Sequence, residues 1–456
     1  MLIATVAIAN MLTPLNSTIL AVALPEIRGA FGVSHAEIAW IVSAYLIAMV
    51  VAQPLGGRIG DQLGHARTLR LSMLAFGGFS VAAAVAPSFP LLVAFRAGQA
   101  LAGGALAPVG IAMLRTSVEP SMLGRSAGIT SSVLGLSAAL GPLVGAALLG
   151  IGSWRWLFLV NLPIVVAGLV CLSLLKFSSD QARGKLNLDF VGSLSLAAVF
   201  AAATNLLGTG LGSGSVAIMA GVVGLIAAAA VFWWSQAKGR FSVAEWALFR
   251  SRSFSASTLY VMGSYMVHYT LFISIPFFVK EVHGGSDGTV GLAIFAMTMT
   301  MAVSAPIAGQ FADRFGRRVP ALFGGLLQVV ACLSLIAAVS FDQWLAFLTC
   351  ALILIGASVG VGMNVATVAA VESAPREKAG SAAGTTSLLR YAGSIIGAGL
   401  LGLILSTDAT APSTDVFRLL FAILLVTACL VTFLSLSIHR FAESEGSPTE
   451  SLTAAT

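Results

Sequence analysis

Charged residues are scarce in this sequence. Asp, Glu, Lys and Arg make up 9% of the 456 residues, against about 25% in an ordinary water-soluble domain. Hydrophobic residues make up 58%, and the mean hydropathy is +0.97. So little charge excludes a water-solvated globular domain and a disordered chain. The composition predicts an all-α polytopic membrane protein.

Cysteine is also rare. The four cysteines, Cys171, Cys332, Cys350 and Cys429, each lie in a separate apolar run. Their spacing fits neither a metal site nor a disulfide framework, so we expect no metal and no cofactor. The net charge of +6 comes from basic residues scattered between apolar runs, which does not indicate a nucleic-acid partner.

Two common catalytic motifs are missing. The sequence contains no phosphate-binding Gly-x-x-x-x-Gly-Lys loop and no His-Glu-x-x-His zinc motif, and these are the patterns that hold nucleotide phosphates or a catalytic metal. No polar segment between apolar runs is long enough to hold an enzyme domain. We therefore expect a protein that is not an enzyme and does not itself use ATP.

Long apolar runs are what the sequence does contain. A helix needs about 20 mostly apolar residues to cross a bilayer, because lipid offers the backbone no hydrogen-bond partner. Fourteen runs meet this requirement, at about 2–25, 37–59, 67–86, 89–114, 126–150, 156–176, 189–210, 215–236, 254–279, 289–312, 319–340, 345–370, 379–406 and 415–438. We number the predicted helices 1 to 14 in this order.

The basic residues give the orientation. With the N-terminus in the cytoplasm, eighteen of the 24 basic residues fall in inward-facing segments and four in outward-facing ones. The remaining two, Arg96 and Arg390, fall inside predicted helices. Because cytoplasmic loops carry an excess of Lys and Arg, this bias supports fourteen spans with both termini cytoplasmic. We expect the protein in the plasma or inner membrane, in contact with the lipid bilayer.

The chain contains an internal repeat. Gly57–Arg67 recurs as Gly309–Arg318, displaced by 252 residues, and Ala127–Ser131 recurs as Ala383–Ser387, displaced by 256. Both members of the first pair follow an even-numbered helix. Helices 1–6 therefore repeat as helices 9–14, and helices 7 and 8 are an insertion. Two such repeats around a central cavity form the architecture in which a midplane site alternates between the two membrane faces.

The repeat divides the chain into four parts. We predict an N-terminal six-helix bundle at 1–176, a two-helix insertion with its cytoplasmic linkers at 177–253, and a C-terminal six-helix bundle at 254–440. Residues 441–456 are acidic and polar, and we expect a disordered cytoplasmic tail there.

Several motifs resemble a known family. Gly57–Arg67 resembles the loop motif between helices 2 and 3 of the major facilitator superfamily, and Arg96–Gly104 resembles its fourth-helix motif. Gly135–Gly145 resembles the fifth-helix motif associated with antiporters. With fourteen spans, Leu15–Pro25 and Trp154–Pro163, the chain is similar to the fourteen-helix drug:proton antiporter branch. The resemblance covers nearly the whole chain and implies the major facilitator fold.

The resemblance also implies roles for two groups of residues. A conformational latch at the inner helix ends is expected from Gly57, Asp61, Gly64, Arg67, Asp313 and Arg317. For Asp61 the alternative is a plain helix cap. The helix-5 antiporter motif is Gly135, Gly141, Pro142 and Gly145. Pro142 bends the helix and the glycines allow close helix contact, although mere packing is the alternative there.

A cavity between the two bundles is the expected substrate and proton site. The repeat places helices 1, 4, 9 and 12 around it, and the candidate residues are Asn16, Tyr45, Arg96, Gln99, Tyr265, His268 and Asn364. Arg96 lies about two turns inside helix 4, where a charge is costly unless it faces a cavity or a partner. The alternative is that its long side chain extends to the membrane surface.

Carboxylates are absent from the middle of every predicted helix. The branch commonly has an Asp in helix 1 where this chain has Asn16, which cannot titrate. His268 is the only histidine deep in a predicted helix, and it is either a proton carrier or a packing residue. The second departure is His65, which replaces a usual basic residue of the loop motif. The polar and, if anything, positive lining favours neutral, zwitterionic or anionic substrates.

Together these features predict a secondary active transporter that exports small amphipathic molecules, drug-like compounds or metabolites, in exchange for protons. Its partners would be a small-molecule substrate and the proton gradient, and we expect a monomer. One alternative is an uncoupled or metabolite-specific exporter. An alternative of another class is a membrane sensor or binding protein that does not transport.

Overall fold

The computed structural model describes residues 1–117, 119–175, 190–208, 215–238, 246–375, 378–405 and 414–439. These ranges are almost wholly helical and contain no β-strand. The predicted tail 441–456 and the linker stretches 177–189 and 239–245 lie outside the described residues.

Within these described ranges, fourteen helices occur in the predicted order, and we keep the numbers 1 to 14 for them. Their bounds are Leu2–Ile19 with the turn Ala21–Ala23 and Leu24–Phe31 (helix 1), His35–Leu63 (2), His65–Ala84 (3), Phe89–Gly103 with Leu106–Ser117 (4), Pro120–Ile151 (5), Trp156–Leu159 with Asn161–Ser173 (6), Phe190–Gly208 (7), Ser215–Lys238 (8), Arg252–Phe277 with a π-helical turn Phe278–Val282 (9), Asp287–Phe315 (10), Arg318–Ser340 (11), Trp344–Ser358 with a π-helical turn Val359–Met363 and Asn364–Glu372 (12), Ala379–Leu405 (13) and Thr414–Ser435 (14). Ten of them are long and apolar enough to cross a membrane by length and composition.

Four glycines with positive φ separate helices, and they form two pairs 252 residues apart. Gly32 (φ 65°) follows helix 1, and Gly284 (φ 63°) follows helix 9. Gly64 (φ 89°) and Gly316 (φ 80°) follow helices 2 and 10. Residues with a Cβ rarely adopt this conformation, so each turn requires glycine. The two six-helix bundles therefore turn at equivalent places, at the spacing of the repeated loop motif.

The two bundles meet along two equivalent pairs of helices. Helix 5 packs on helix 1 of its own bundle and on helix 10 of the other. Helix 13 packs on helix 9 of its own bundle and on helix 2 of the other. Helix 7 of the insertion lies against helices 2 and 13, and helix 8 packs on helix 7. The predicted fold of two six-helix bundles plus a two-helix insertion is confirmed.

The helix-5 glycines bring helix 5 close to helix 1. A Cβ atom at Gly141 would clash with the side chain of Thr18. A Cβ atom at Gly145 would lie 2.7 Å from the carbonyl oxygen of Ile19. Neither position can accept a larger residue without moving a helix, so these glycines permit the close contact expected of small residues four apart.

Candidate functional site

A network of buried polar side chains lies inside the first bundle. Arg96 of helix 4 is 1% exposed, and its Nη1 donates to Oε1 of Gln99, one turn away, at 3.0 Å. Nδ2 of Asn16 in helix 1 donates to the same oxygen at 3.3 Å. Nε2 of Gln99 donates to the Ser80 hydroxyl of helix 3 at 2.7 Å, and Nδ2 of Asn161 in helix 6 donates to Oδ1 of Asn16 at 3.2 Å. The structure thus brings the predicted residues Asn16, Arg96 and Gln99 together.

Two aromatic rings flank the Arg96 guanidinium. Its central carbon lies 4.3 Å from the centre of the Tyr45 ring of helix 2 and 5.9 Å from that of Phe158. The Tyr45 hydroxyl donates to the carbonyl of Thr13 at 3.4 Å. Because the guanidinium is buried among these groups, the Arg96 side chain does not extend to the membrane surface.

A second cluster lies in the other bundle. The rings of Tyr265 and Tyr269, one turn apart in helix 9, stack with centres 6.1 Å apart. The guanidinium carbon of Arg390 in helix 13 lies 5.6 Å from the ring centre of Tyr265 and 5.0 Å from that of Tyr391. Each bundle therefore buries one arginine against tyrosine rings.

The two clusters meet between the bundles. Nε2 of Gln53 in helix 2 donates to the Tyr391 hydroxyl of helix 13 at 2.6 Å. Tyr391 also packs against the small group of buried residues that contains Tyr45. We call Tyr45, Tyr265, Tyr269 and Tyr391 the tyrosine cluster. It joins both bundles, with Arg96 on one side and Arg390 on the other.

His268 lies beside this cluster. It is 7% exposed, its ring centre lies 6.3 Å from Tyr265 and 5.7 Å from Tyr269, and it stacks on Phe272 at 6.1 Å. Its Nδ1 atom is buried and has no hydrogen-bond partner in the part of the chain that the structure describes. His268 follows Asn16 by 252 residues, the spacing of the repeat, so it occupies in helix 9 the position of Asn16 in helix 1.

The remaining candidates make contacts of their own. Asn364 of helix 12 donates to the carbonyl of Gly360 in its own helix at 3.2 Å. In helix 5, Gly135 faces Ala302 of helix 10, where an added Cβ would lie at 3.5 Å. Helix 10 also comes close to Pro142 of the same motif. A Cβ atom added at Gly291 of helix 10 would lie 2.9 Å from the carbonyl oxygen of Pro142.

In the loop motif of the first bundle, the side chains of Asp61 and Arg67 are exposed and the rest are half-buried or buried. Oδ1 of Asp61 lies 3.2 Å from Nε2 of His65, and the Asp61 side chain is 71% exposed. Arg67 is also exposed. Gly57 is half-buried, and an added Cβ would lie 3.7 Å from Pro108 of helix 4. His65, which the sequence marks as a departure from the family pattern, is thus the residue that contacts Asp61.

The equivalent motif of the second bundle forms a tighter cluster. Arg317 donates to both carboxylate oxygens of Glu372 at 2.9 and 3.1 Å and to Asp313 at 3.0 Å. His439 lies 3.5 Å from Glu372 on its other side. The hydrogen bonds to Glu372 and Asp313 raise the pKa of Arg317. Bidentate pairing fixes the end of helix 12 to the loop between helices 10 and 11.

A charged cluster at the opposite end of the helices joins the bundles. Arg28 donates to Oε1 of Glu281 at 2.7 Å, and Nε2 of His35 lies 2.9 Å from Oε2 of the same carboxylate. Arg28 and His35 belong to the first bundle, and Glu281 lies in the π-helical turn of helix 9. Nearby, His283 stacks on Trp344 with centres 4.2 Å apart, and burial lowers the pKa of His283.

The fold, with its buried polar interface between two equivalent bundles, is that of a membrane transporter built from two repeats. The family model described as Major Facilitator Superfamily matches residues 6–398 and 259–453. The chain belongs to the major facilitator superfamily. It is accordingly a multi-pass membrane transporter, not an enzyme.

Relatives with known names include efflux proteins. The chain is 30% identical over 441 residues to the uncharacterised MFS-type transporter YvkA of Bacillus subtilis, covering 96% of this chain and 95% of the relative. It is 29% identical to the tetracenomycin C resistance and export protein of Streptomyces glaucescens, covering 88% and 75%. It is 28% identical to a multidrug resistance protein B homolog of Mycobacterium tuberculosis, with the same coverage.

Solved structures share the fold at low identity. A D-xylose-proton symporter superposes with a TM-score of 0.70 at 13% identity, covering 98% of both chains. The inward open xylose transporter XylE of E. coli superposes with a TM-score of 0.65 at 13% identity, covering 99% of this chain and 98% of the other. These likenesses establish the fold.

Sequence reasoning did not assign five residues of these clusters: Gln53, Ser80, Asn161, Arg390 and Tyr391. Arg390 carried a signal, since it is a charge inside a predicted helix. The sequence did not show whether its side chain faces the membrane or the cavity. Asn161 lies in the family-like segment Trp154–Pro163, but no role was predicted for it, and Ser80 carried no signal, because a single polar residue in a membrane helix is common. Their role depends on which helix faces meet.

Proposed function

We propose that this transporter exports small amphipathic molecules across the plasma or inner membrane by alternating access, in exchange for protons. The observation that carries the proposal is the tyrosine cluster, to which both bundles contribute polar and aromatic side chains at their interface. A ligand held there would contact both bundles at once, which rocking of one bundle against the other requires. The names of the relatives support export of drug-like compounds.

Proton exchange rests on His268 in this proposal. A titratable group in the middle of the membrane is costly and typical of a proton pathway, and imidazole changes charge in the physiological range. His268 lies beside the tyrosine cluster, at the repeat position that corresponds to Asn16. It would carry the proton that Asn16 cannot carry.

The proposed substrate and proton site comprises Asn16, Tyr45, Arg96, Gln99, Tyr265, His268 and Asn364. The inner-end latch of Gly57, Asp61, Gly64, Arg67, Asp313 and Arg317 would open and close as the bundles rock, and the helix-5 motif would form the surface against which helix 1 moves. In the second bundle, the bidentate bond between Arg317 and Glu372 supports this role. The bundles would be 1–176 and 254–440, separated by the insertion 177–253, with both termini cytoplasmic.

Everted membrane vesicles with an acidified interior test the proposal. A pH-quenched dye reports the interior pH while amphipathic compounds of different charge are added. We expect recovery of dye fluorescence on addition of a substrate, and loss of that recovery in Arg96→Ala and His268→Ala. Arg418→Gln, which removes an exposed arginine bonded to Asp415 at the outer helix end, should behave as the wild type.

An uncoupled exporter is the second candidate, favoured by the absence of a carboxylate from the middle of every predicted helix. If compounds accumulate in the vesicles while the dye never responds and a protonophore changes nothing, proton exchange is wrong and the uncoupled exporter replaces it. If no compound accumulates under any gradient, the export proposal itself fails.

A further inference from the structure

Two positive charges, one buried and one half-buried, flank the tyrosine cluster without a matching negative charge in the described part of the chain. Arg96 is 1% exposed and Arg390 is half-buried. Arg28, Arg317 and Arg418, at the helix ends, are each bonded to a carboxylate, whereas neither Arg96 nor Arg390 has such a bond among the residues that the structure describes. A charge inside the membrane is normally balanced by a partner, and leaving a buried charge unpaired is strongly unfavourable. The interface thus carries positive charge that its own side chains do not neutralise.

The hydrogen-bond capacity of Arg96 is also incompletely used. Its Nη1 donates to Gln99, but its Nε is buried and has no hydrogen-bond partner among the described residues. Buried polar groups without a partner are uncommon, and each one needs an explanation. A guanidinium presents its donors in a planar fork that fits a carboxylate or a similar oxyanion. The free donor is therefore of the kind that an anionic ligand would satisfy.

The surroundings of the two guanidinium groups are aromatic. Arg96 lies over the ring of Tyr45, and Arg390 lies near the rings of Tyr265 and Tyr391. Tyrosine offers an apolar ring surface together with a hydroxyl donor. A ligand that combines a negative group with an apolar body would find partners for both parts. A cation would instead face two guanidinium groups.

We infer that the tyrosine cluster, between Arg96 and Arg390, binds an amphipathic organic anion. The inference rests on the proposed export function and specifies its substrate class. The negative group pairs with a guanidinium, and the apolar body lies against the tyrosine rings. Because one arginine belongs to each bundle, an anion between them attracts both bundles and favours the state in which they are closed around it.

Calorimetric titration of the full-length protein in lipid nanodiscs tests this assignment, with empty nanodiscs subtracted. The probes are naphthoate, naphthamide and naphthylmethylammonium, which share an aromatic body and differ in charge. We expect naphthoate to bind at least about tenfold more tightly than the other two, as a charge-assisted bond implies. Arg96→Gln and Arg390→Gln should each weaken naphthoate binding about tenfold. Arg418→Gln, on the exposed outer end, should leave it unchanged.

Naphthamide binding provides the folding control. If naphthamide binds each variant as it binds the wild type while naphthoate affinity falls, the arginines recognise charge and the inference holds. The inference is overturned if naphthylmethylammonium binds at least as tightly as naphthoate, or if both arginine variants lose naphthoate and naphthamide equally. If Arg418→Gln also lost naphthoate affinity, naphthoate would be binding to the protein surface. That result would overturn the inference as well.

The vesicle assay separates this inference from the export proposal. If naphthoate binds as expected in nanodiscs but is never taken up by everted vesicles, the anion site stands and export fails. If the vesicles take up cations with proton release, and Arg96→Gln does not change that uptake, export stands and the anion site is wrong.

Discussion

Asn16 of helix 1 links helices 4 and 6 through the buried polar network. Its side-chain nitrogen donates to Gln99 and its oxygen accepts from Asn161. We predict that Asn16→Ala lowers the free energy of unfolding by about 1 to 3 kcal/mol, because the amide of Asn161 loses a partner in the membrane interior. Thermal denaturation in detergent, followed by the loss of monodisperse protein, measures the change.

Asn364→Ala is the matched control for this substitution. Asn364 is also an asparagine inside a membrane helix, but its bond goes to the carbonyl of Gly360 in the same helix and it is half-buried. Its removal deprives no residue on another helix of a hydrogen bond. The loss of unfolding free energy should therefore be smaller, about 0.5 kcal/mol. Equal losses in the two variants would contradict a stabilising role for the network around Asn16.

At the level of single residues, the sequence predicts contacts within a helix far better than contacts between helices. Arg96 and Gln99 are three residues apart on one helix, so their bond follows from helical geometry alone. The bond between Gln53 and Tyr391 requires knowing which face of helix 2 meets which face of helix 13, and single polar residues do not show this. The equivalence of Asn16 and His268 was present in the 252-residue spacing, because both precede a threonine, Thr18 and Thr270, by two positions.

The bounds of the helices follow closely from the apolar runs. The differences between the predicted and the observed helix starts have one cause. Helix 5 begins at Pro120, whereas its apolar run predicts a start near 126. Helix 2 begins at His35 after a capping box formed by Ser34 and Glu37, two residues before its predicted start. Apolar counting measures the part of a helix in lipid, but the backbone continues to hydrogen-bond in water until a cap or a glycine ends it.

Helix 5 provides the prediction at the level of elements. An added Cβ at Gly141 meets the side chain of Thr18, so Gly141→Ala forces helices 1 and 5 apart. Overpacking of this kind costs about 1 to 3 kcal/mol. We expect a lower denaturation temperature and slower substrate uptake in vesicles. Gly135→Ala is the control, because its Cβ would meet Ala302 at an ordinary 3.5 Å; an equal defect there would show that the Gly141 contact has no special importance.

At the scale of the whole molecule, charged bonds join the two bundles at one end. The end of helix 1 contacts the end of helix 9, and Arg28 and His35 both bond Glu281 across this boundary, with Arg28 29% and Glu281 14% exposed. The positive-inside rule predicts that this end faces outward. A transporter that alternates must break these bonds each time it opens to the outside.

Removing the shared carboxylate should therefore shift the molecule toward the outward-open state. Glu281→Gln keeps the size of the side chain but removes the charge that bonds both Arg28 and His35. We expect the ratio of open to closed molecules to rise on the order of tenfold, the effect of losing one partly buried charged hydrogen bond. Spin labels at Ala30→Cys and Gln343→Cys, in a background without native cysteines, report the separation of the outer ends by pulsed electron resonance.

Lys280→Gln supplies the decisive comparison. Lys280 is adjacent to Glu281 in the chain and bonds Asp287 at 2.7 Å, the same distance as the bond between Arg28 and Glu281, but both residues of the Lys280 bond belong to the second bundle. Loss of the Lys280 bond perturbs the same turn without separating the bundles, so the spin-label distances should stay as in the wild type. If Lys280→Gln widens the distances as much as Glu281→Gln does, the bundles are held by the shape of the turn. If only Glu281→Gln widens them, the bonds that cross between the bundles set the balance between the two states.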